Sequence, residues 1–277
     1  PTVSIIEQGG KKFVMQIFGA MYLTGLLSAL IGVASFFIVP FDGFPRATSF
    51  ILLGLDVWGP NHNLLAETLI VTAPAGLLLM QNAELRMKKL IVYGMFFQYA
   101  IALLTFSRTA WIAIALQAAL FLMLEYRGHV KSLLRRARPA IIALIPFALY
   151  LIWSMSTAEV QGSNTTRLDL IRISWFYFIR DPWIGNGVGM FIPTLWDIKA
   201  FIIEYGTVLE AHGIVWKLLF EQGVLGLVTF AIFIGSILFS IYKTYRSNRA
   251  KGSYHTVVLA ALLIAVGILT YELFNTT

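Results

Sequence analysis

The sequence contains no cysteine, which excludes a disulfide framework and thiol chemistry. It is also poor in charge, because Asp, Glu, Lys and Arg together make up only 13% of its 277 residues. A soluble domain averages about 25% charged residues. Hydrophobic residues make up 58%, and the mean hydropathy is +0.77. The scarcity of charge therefore argues against a soluble globular domain, and the composition indicates an integral membrane protein.

Long apolar runs recur along the chain, and a membrane-spanning helix needs about 17–25 such residues. Seven runs are predicted to be spans: residues 13–39, 63–80, 90–106, 109–124, 140–153, 220–241 and 256–273. We therefore predict an all-α integral membrane protein with about seven transmembrane helices, forming one polytopic domain over residues 1–277. A long polar run, residues 154–217, separates the fifth and sixth spans. We predict one helix in it over residues 166–180 and a second beginning near Glu210.

Linkers rich in Lys and Arg alternate along the chain with linkers that contain few of them, so the positive charge is concentrated on one side of the membrane. On one side lie 14 of the 21 Lys and Arg residues, and on the other lie 11 of the 14 Asp and Glu residues. The positive-inside rule makes the basic side cytoplasmic, so residues 40–62, 107–108, 154–217 and the C-terminus are predicted to lie outside. The lipid bilayer is the expected partner. Nucleic acid is not, because the basic residues lie in short linkers and not on one folded face.

Three arginines on the predicted outer side are candidates for binding an anion. Arg108 lies at the end of the third span, where a charged residue is costly and suggests a function; the alternative is an arginine that snorkels to the interface. Arg167 and Arg172 lie in the predicted helix 166–180, and the guanidinium fork suits phosphate oxygens. Arg172 also has a plain structural interpretation, since it stands three residues after Asp169 and an i,i+3 ion pair is common.

His212 is the candidate proton acceptor, because a histidine at the outer face is suited to taking a proton from a hydroxyl. A lone histidine is more often structural, and that alternative stays open. No His or carboxylate residues show metal-ligand spacing, so no metal site is predicted. The segment GNGVG at residues 185–189 lacks the Lys-Ser/Thr of a P-loop, and its glycines are expected to allow a tight backbone approach instead.

Four segments form a pattern when they are taken together: FSRTAW (106–111), TTRLDLIRISWFYFIRDPWIGNGVGMF (165–191), EAHGIVWKLLFEQGVLGL (210–227) and, more weakly, GFPRATSF with GPNHNLLAE (within 43–67). As a set they resemble the O-antigen ligase and polymerase family of bacterial inner-membrane glycosyl-transfer proteins. The chain departs from the family pattern at Ile171, Asn186 and Gly213, where a Trp, an apolar residue and an Asn are common. Family members have about ten to twelve spans, so we expect, also from the Pro1 start, that upstream sequence is missing.

The resemblance implies glycan transfer from an undecaprenyl-diphosphate donor to a hydroxyl acceptor, on the periplasmic face of the bacterial inner membrane. Because a lipid diphosphate is already an activated leaving group, no cofactor is implied. His212 would be the general base, with Glu210 orienting it. Arg108 and Arg167 would hold the diphosphate, and the second-rank candidates for the same role are Arg172 and Arg46.

Two activities within this family stay open. A ligase would use a sugar of lipid A-core as its acceptor, whereas a polymerase would use another lipid-linked glycan. A rival from a different class is a transporter or flippase for an anionic lipid-linked solute, which predicts charged residues near mid-bilayer and broken spans in paired positions. A purely structural membrane subunit is the last alternative.

Overall fold

The structure is a computed structural model that describes residues 2–40, 45–51, 54, 61–126, 128, 135, 138, 158–248 and 253–274. Helices are the only regular secondary structure among these residues, which confirms the all-α prediction. The α-helices are α1 (Thr2–Ile38), α2 (His62–Thr72), α3 (Gly76–Leu79), α4 (Leu85–Leu104), α5 (Arg108–Glu125), α6 (Ala158–Phe178), α7 (Phe191–Asp197), α8 (Lys199–Tyr205), α9 (Ile214–Asn248) and α10 (Ser253–Phe274). Two short 3-10 segments, Ala73–Ala75 and Met80–Asn82, flank α3.

Six of the described helical stretches are long and apolar enough to cross a membrane. They are Lys12–Ile38, His62–Leu79, Leu85–Leu104, Arg108–Glu125, Ile214–Ser247 and His255–Phe274. Each overlaps one of the predicted spans, so the membrane architecture agrees with the hydropathy pattern. The remaining predicted span, residues 140–153, lies outside the described residues.

The chain divides into two compact units. The first, which we call the helical unit, comprises Pro1–Phe121 and Ser236–Tyr271; the second, the loop unit, comprises Leu122–Gly235 and Glu272–Thr277. The core of the helical unit is built from small and aliphatic side chains of five helices and of the segment before α2, with one buried tyrosine: Ala29, Ala47, Leu65, Ala66, Leu69, Ile70, Ile101, Ala102, Ala110, Ala113 and Tyr271.

A buried amide links helices inside the helical unit. The Nε2 of Gln117 donates to the carbonyl of Ile70 at 3.2 Å and to that of Leu263 at 2.9 Å. The hydroxyl of Tyr99 donates to Oε1 of Gln117 at 3.1 Å. Because a bilayer offers no water to satisfy polar groups, both ends of such an amide need protein partners. Gln117 therefore ties α5 to α2 and α10 without leaving a polar atom exposed to lipid.

The loop unit has its own aromatic core, drawn from α6, α7, α8 and the start of α9. Its buried members are Leu170, Phe191, Leu195, Phe201, Ala211 and Phe220. Phe220 is central, since its ring centroid lies 5.1 Å from that of Phe191 and 5.3 Å from that of Tyr177. Edge-on and tilted ring pairs of this kind stabilise a core beyond simple area burial. The polar run between the spans is thus a folded unit.

Several predicted boundaries in this region were wrong. The helix predicted over residues 166–180 is α6, which begins eight residues earlier at Ala158. The helix predicted near Glu210 begins at Ile214, and α7 and α8 were not predicted. Each is seven residues long. Helices this short are marginal by themselves and are stabilised by packing, so sequence propensity signals them weakly.

The fifth of the six described spans, Ile214–Ser247, is interrupted near its start. Within α9, Gly223 has φ 62° and ψ −161°, which is not a helical conformation. Glycine adopts such positive φ values readily, whereas other residues do so at a cost. The break divides α9 into a short first part, residues 214–222, and a long second part, residues 224–248.

Candidate functional site

Arg108 is the first residue of α5, directly after a tight turn from α4. Phe106 in this turn has φ 55°, an uncommon value for a residue other than glycine. The carbonyl of Ser107 accepts the first helical hydrogen bond, from the amide of Trp111 at 3.2 Å. The hydroxyl of Ser107 lies 3.0 Å from that of Tyr271. The backbone before Arg108 is therefore fixed both to its own helix and to α10.

Tyr271 extends this contact to a third helix. Its hydroxyl donates to the carbonyl of Asn63, at the start of α2, at 2.7 Å. The side chain is completely buried. Tyr271 thus joins the start of α2, the start of α5 and the end of α10 at one end of the helical unit. Its position near the end of a strongly apolar helix gave no sequence signal of this role.

Arg46 lies at the same end of the helical unit as Arg108. The amide of Ala47 donates to the carbonyl of Leu104, the last residue of α4, at 2.8 Å. The amide of Thr48 donates to Oγ of Ser35, near the end of α1, at 3.1 Å. The extended segment carrying Arg46 is therefore attached beside the turn that precedes Arg108, and both arginines are partly buried.

In the loop unit, Arg167 belongs to the face of α6 that packs into the protein. It precedes Leu170 by three residues and Ser174 by seven, and both of these are completely buried. The Nε atom of Arg167 is itself inaccessible to solvent. Helical spacing places residues three, four and seven apart on one face. Trp175, directly after Ser174, lies off this face and is exposed.

Arg172 points to the other side of α6 and has an ion-pair partner. Its Nη1 donates to Oδ1 of Asp169 at 3.0 Å, and its side chain is 76% exposed. The hydroxyl of Tyr205, at the end of α8, donates to Oδ2 of the same carboxylate at 2.7 Å. The pKa of Tyr205 is raised, chiefly because Asp169 accepts this hydrogen bond and secondarily because the hydroxyl loses solvent. Asp169 therefore joins α6 to α8.

His212 lies just before the first turn of α9. The carbonyl of Gly213 accepts from the amides of Trp216 at 3.1 Å and Lys217 at 3.4 Å, so Gly213 caps the helix with its backbone. Gly213 has φ 99°, and a Cβ there would lie 2.6 Å from the carbonyl oxygen of Leu273. Only glycine fits this approach to the end of α10. His212 is partly buried, and its Nδ1 atom is inaccessible to solvent.

Glu210, the predicted orienting residue, has a basic partner across the same turn. Its Oε2 accepts from Nζ of Lys217 at 2.9 Å, and both side chains are partly exposed. This ion pair closes the loop that contains His212. A partly exposed pair contributes little to stability, on the order of 0–1 kcal/mol. The ion pair therefore matters mainly because it positions the turn that carries His212, and it adds little to the stability of the protein.

A common core relates Arg167 to His212 within the loop unit. Leu170, three residues after Arg167, and Ala211, directly before His212, are both completely buried members of the same hydrophobic cluster. The backbone segments that carry the two candidates therefore pack against the same core. Across the described ranges, no group of three or more His, Asp or Glu side chains is arranged to hold a metal ion.

The glycine-rich turn, residues 182–190, contacts the break in α9. The amide of Asn186 donates to the carbonyl of Phe220, and that of Gly187 donates to the carbonyl of Glu221, each at 2.9 Å. The turn therefore supplies donors to carbonyls that the interrupted helix leaves without an intrahelical partner. A Cβ at Gly185 would lie 2.5 Å from the amide nitrogen of Gln222, so that glycine is required by close approach.

Sequence reasoning did not single out Glu221, which the structure shows at the centre of this contact. Its side chain is buried, and its Oε1 accepts from the amide of Phe191, the first residue of α7, at 3.3 Å. Buried carboxylates are uncommon unless they are hydrogen-bonded. The sequence signal that was available is the presence of two glycine-bearing segments, 185–189 and 221–226. The structure shows that these two segments contact each other.

These features define a polytopic membrane protein with a folded helical loop between two spans. A family model described as O-antigen ligase matches residues 93–231, just over half of the chain. The chain therefore belongs to the O-antigen ligase family, a family of multi-pass bacterial inner-membrane proteins that transfer glycans. The matched range contains Arg108, Arg167 and His212 but not Arg46. No curated protein shows a match to the sequence.

Proposed function

We propose that the protein is a ligase that transfers a glycan from undecaprenyl diphosphate to a hydroxyl of a lipid A-core sugar, on the periplasmic face of the membrane. Membership of the O-antigen ligase family supports the reaction type. The observation that supports the assignment of residues is that the segments carrying Arg167 and His212 contribute Leu170 and Ala211 to one buried core in the loop unit. An arginine and a histidine placed on segments that pack against one core suit an anionic leaving group and a proton acceptor.

The reaction needs one bond to form and one to break. The oxygen of the acceptor hydroxyl attacks the anomeric carbon of the donor sugar. The bond from that carbon to the diphosphate oxygen breaks, and undecaprenyl diphosphate leaves with the electron pair. His212 takes the hydroxyl proton. We assign this role to its Nε2, because Nδ1 is inaccessible to solvent. General-base catalysis of this kind contributes about 10²–10⁴-fold in rate.

The departing diphosphate gains negative charge, which arginine stabilises well. We assign this role to Arg167 and Arg108, as the family resemblance implies. Both lie at fixed points of their helices: Arg167 on the packed face of α6, and Arg108 after a hydrogen-bonded turn. Arg46, whose segment is attached beside that turn, is a second-rank candidate for the same role.

The remaining two candidates have supporting roles in this proposal. Arg172 ranks below Arg167 because Asp169 already compensates its charge. Glu210 acts through the turn: its ion pair with Lys217 closes the loop that carries His212. Since the activated donor supplies its own leaving group, no metal or cofactor is part of the proposed mechanism.

The test is transfer by the protein reconstituted in proteoliposomes, with a labelled undecaprenyl-diphosphate glycan and each acceptor in turn. We expect transfer to lipid A-core, lowered about 10²–10⁴-fold by His212→Ala. We expect Arg108→Ala and Arg167→Ala each to lower it about tenfold to a hundredfold, as one charge-assisted contact would. Arg167→Lys should recover only part of the loss, because lysine lacks the planar fork.

The matched controls are Arg180→Ala and His255→Ala. Arg180 is an exposed arginine beyond the end of α6 whose guanidinium stacks on Phe176 at 4.0 Å, and His255 lies at the start of α10 beside Tyr245. Both variants should transfer at the parental rate. Full transfer by the three alanine variants would refute the assigned mechanism. Transfer to a second lipid-linked glycan but not to lipid A-core would make the protein a polymerase of the same family.

A further inference from the structure

The glycine-rich turn, residues 182–190, exposes large apolar side chains although it belongs to the polar run of the chain. Trp183 is 67% exposed and Ile184 is 70% exposed. Adjacent exposed residues of this size are costly in water and usually mark a surface that contacts a partner. The depth of these two residues relative to the bilayer indicates which partner they contact.

This depth follows from the second part of α9. Residues 224–242 form a run of 19 residues without a charged side chain, ended by Lys243. As a helix this run is about 28 Å long, which matches a hydrocarbon core of about 30 Å. With Lys243 at one boundary, Val224 therefore lies at the other. The start of the uncharged run marks the edge of the hydrocarbon.

The turn is bonded to the chain at this boundary. The amide of Val224 donates to the carbonyl of Pro182 at 2.8 Å, and that of Leu225 donates to the carbonyl of Trp183 at 3.2 Å. Trp183 and Ile184 therefore lie level with the first turn of the uncharged run. Tryptophan is enriched at this depth in membrane proteins, where the ring is apolar and its N–H meets the headgroups.

The attachment is also rigid. A Cβ at Gly223 would lie 2.6 Å from the carbonyl carbon and oxygen of Trp183, so the two backbones are in direct contact. The hydrogen bonds from Asn186 and Gly187 to α9 hold the far side of the turn. The turn cannot lift away from the span without breaking four backbone hydrogen bonds, the two at Val224 and Leu225 included.

We propose that Trp183 and Ile184 form a membrane wedge, which contacts the acyl chains of the bilayer leaflet on the loop side. Arg180 and Asp181, directly before it, are exposed and charged and suit the headgroup layer. The first part of α9 spans nine residues, about 13 Å of helix, between the turn that carries His212 and the break beside the wedge. The proposed contact between the wedge and the bilayer does not depend on the reaction proposed above.

The absence of cysteine allows a direct test by site-directed spin labelling. The protein carrying Trp183→Cys or Ile184→Cys is labelled with a nitroxide and reconstituted in vesicles of phosphatidylethanolamine and phosphatidylglycerol. Collisions with oxygen, which concentrates in lipid, are compared with collisions with a water-soluble nickel chelate. Ile232→Cys, at a 66% exposed position within the span, is the lipid control. Thr207→Cys, at an exposed position between α8 and α9, is the water control.

We expect both wedge labels to collide more with oxygen than with the nickel chelate, at a depth between those of the two controls. Nickel accessibility equal to that at position 207, for either wedge label, would overturn the proposal. Low accessibility to both probes would show that protein covers the turn, which would equally overturn it. Because the readout is depth and not transfer, its failure would leave the proposed reaction unaffected.

Discussion

In the helical unit, side-chain hydroxyls hold the turn before Arg108, whereas in the loop unit close backbone contacts fix the chain at Gly213 and Gly223. Ser107 and Tyr271 share a hydrogen bond of 3.0 Å. Gly213 and Gly223 have no side chain, and each approaches the backbone of another segment so closely that a Cβ would lie 2.6 Å from a carbonyl oxygen. The chain is therefore fixed by a hydrogen bond between side chains in one unit and by close contact between backbones in the other.

The difference follows from the surroundings of each turn. Helices already satisfy their own backbone groups, so helices in a membrane are joined by the polar side chains between them. The break in α9 and the irregular turn beside it leave backbone groups without intrahelical partners, and these groups bond to each other across the break. Hydroxyls join the helices of the first unit, and glycines permit backbone pairing in the second. Substitutions at each kind of position should separate the two mechanisms.

The largest effect is expected from Gly223→Ala. A methyl group there would meet the backbone of Trp183 and the carbonyl of Pro182, at 2.6–2.7 Å, in a residue with φ 62°. Backbone strain and overpacking together should destabilise the loop unit by about 2–4 kcal/mol. The measurement is the midpoint of thermal unfolding, with hydrogen exchange of residues 182–191 reporting the local loss of the turn.

Gly235→Ala is the control for this substitution. Gly235 lies in the same helix, has nothing within 4 Å of its Cβ position and has no positive φ. Alanine there should be neutral or slightly stabilising, because it favours helix. Equal behaviour of the two variants would show that backbone contact at Gly223 does not hold the turn.

A smaller effect is expected from Tyr271→Phe. The change removes the hydroxyl that donates to Asn63 at 2.7 Å and lies beside Ser107, in a completely buried side chain. The loss should be about 1–2 kcal/mol, measured as a lower midpoint of thermal unfolding. Tyr93→Phe, at a position that is 67% exposed, is the matched control and should change little. Indistinguishable midpoints would mean that the hydroxyl does not tie α2, α5 and α10 together.

The smallest effect is expected from Tyr205→Phe, which removes the donor to Asp169 at 2.7 Å. Because the pKa of Tyr205 is raised in the folded protein, the hydroxyl stabilises the contact below the unfolded pKa of about 10. This contribution is lost as the pH rises through the folded pKa. The difference in unfolding midpoint between parent and variant should therefore shrink from pH 8 to pH 11. A difference that stays constant would contradict the role of the hydroxyl proton.

Hydropathy alone predicted all six described spans, because a bilayer requires long apolar helices whatever the neighbouring helices are. The i,i+3 alternative for Arg172 was also correct, since the ion pair with Asp169 depends only on helical spacing. The functional roles of all the candidate site residues, Arg172 included, remain predictions. The sequence did not reveal Glu221, which accepts from Phe191 thirty residues away. A contact across that separation leaves no local periodicity to read.

The amino-acid sequence by itself determined that this is a membrane protein, where its spans lie, and which arginines and histidine stand outside the apolar runs. Those properties follow from composition and periodicity, which are local. Only the tertiary structure decided that Arg167 lies on the packed face of α6, that Tyr271 joins three helices, and that the glycine-rich turn pairs with the break at Gly223. Each of these depends on which distant segments meet, and that is set by burial and hydrogen bonding of the whole chain.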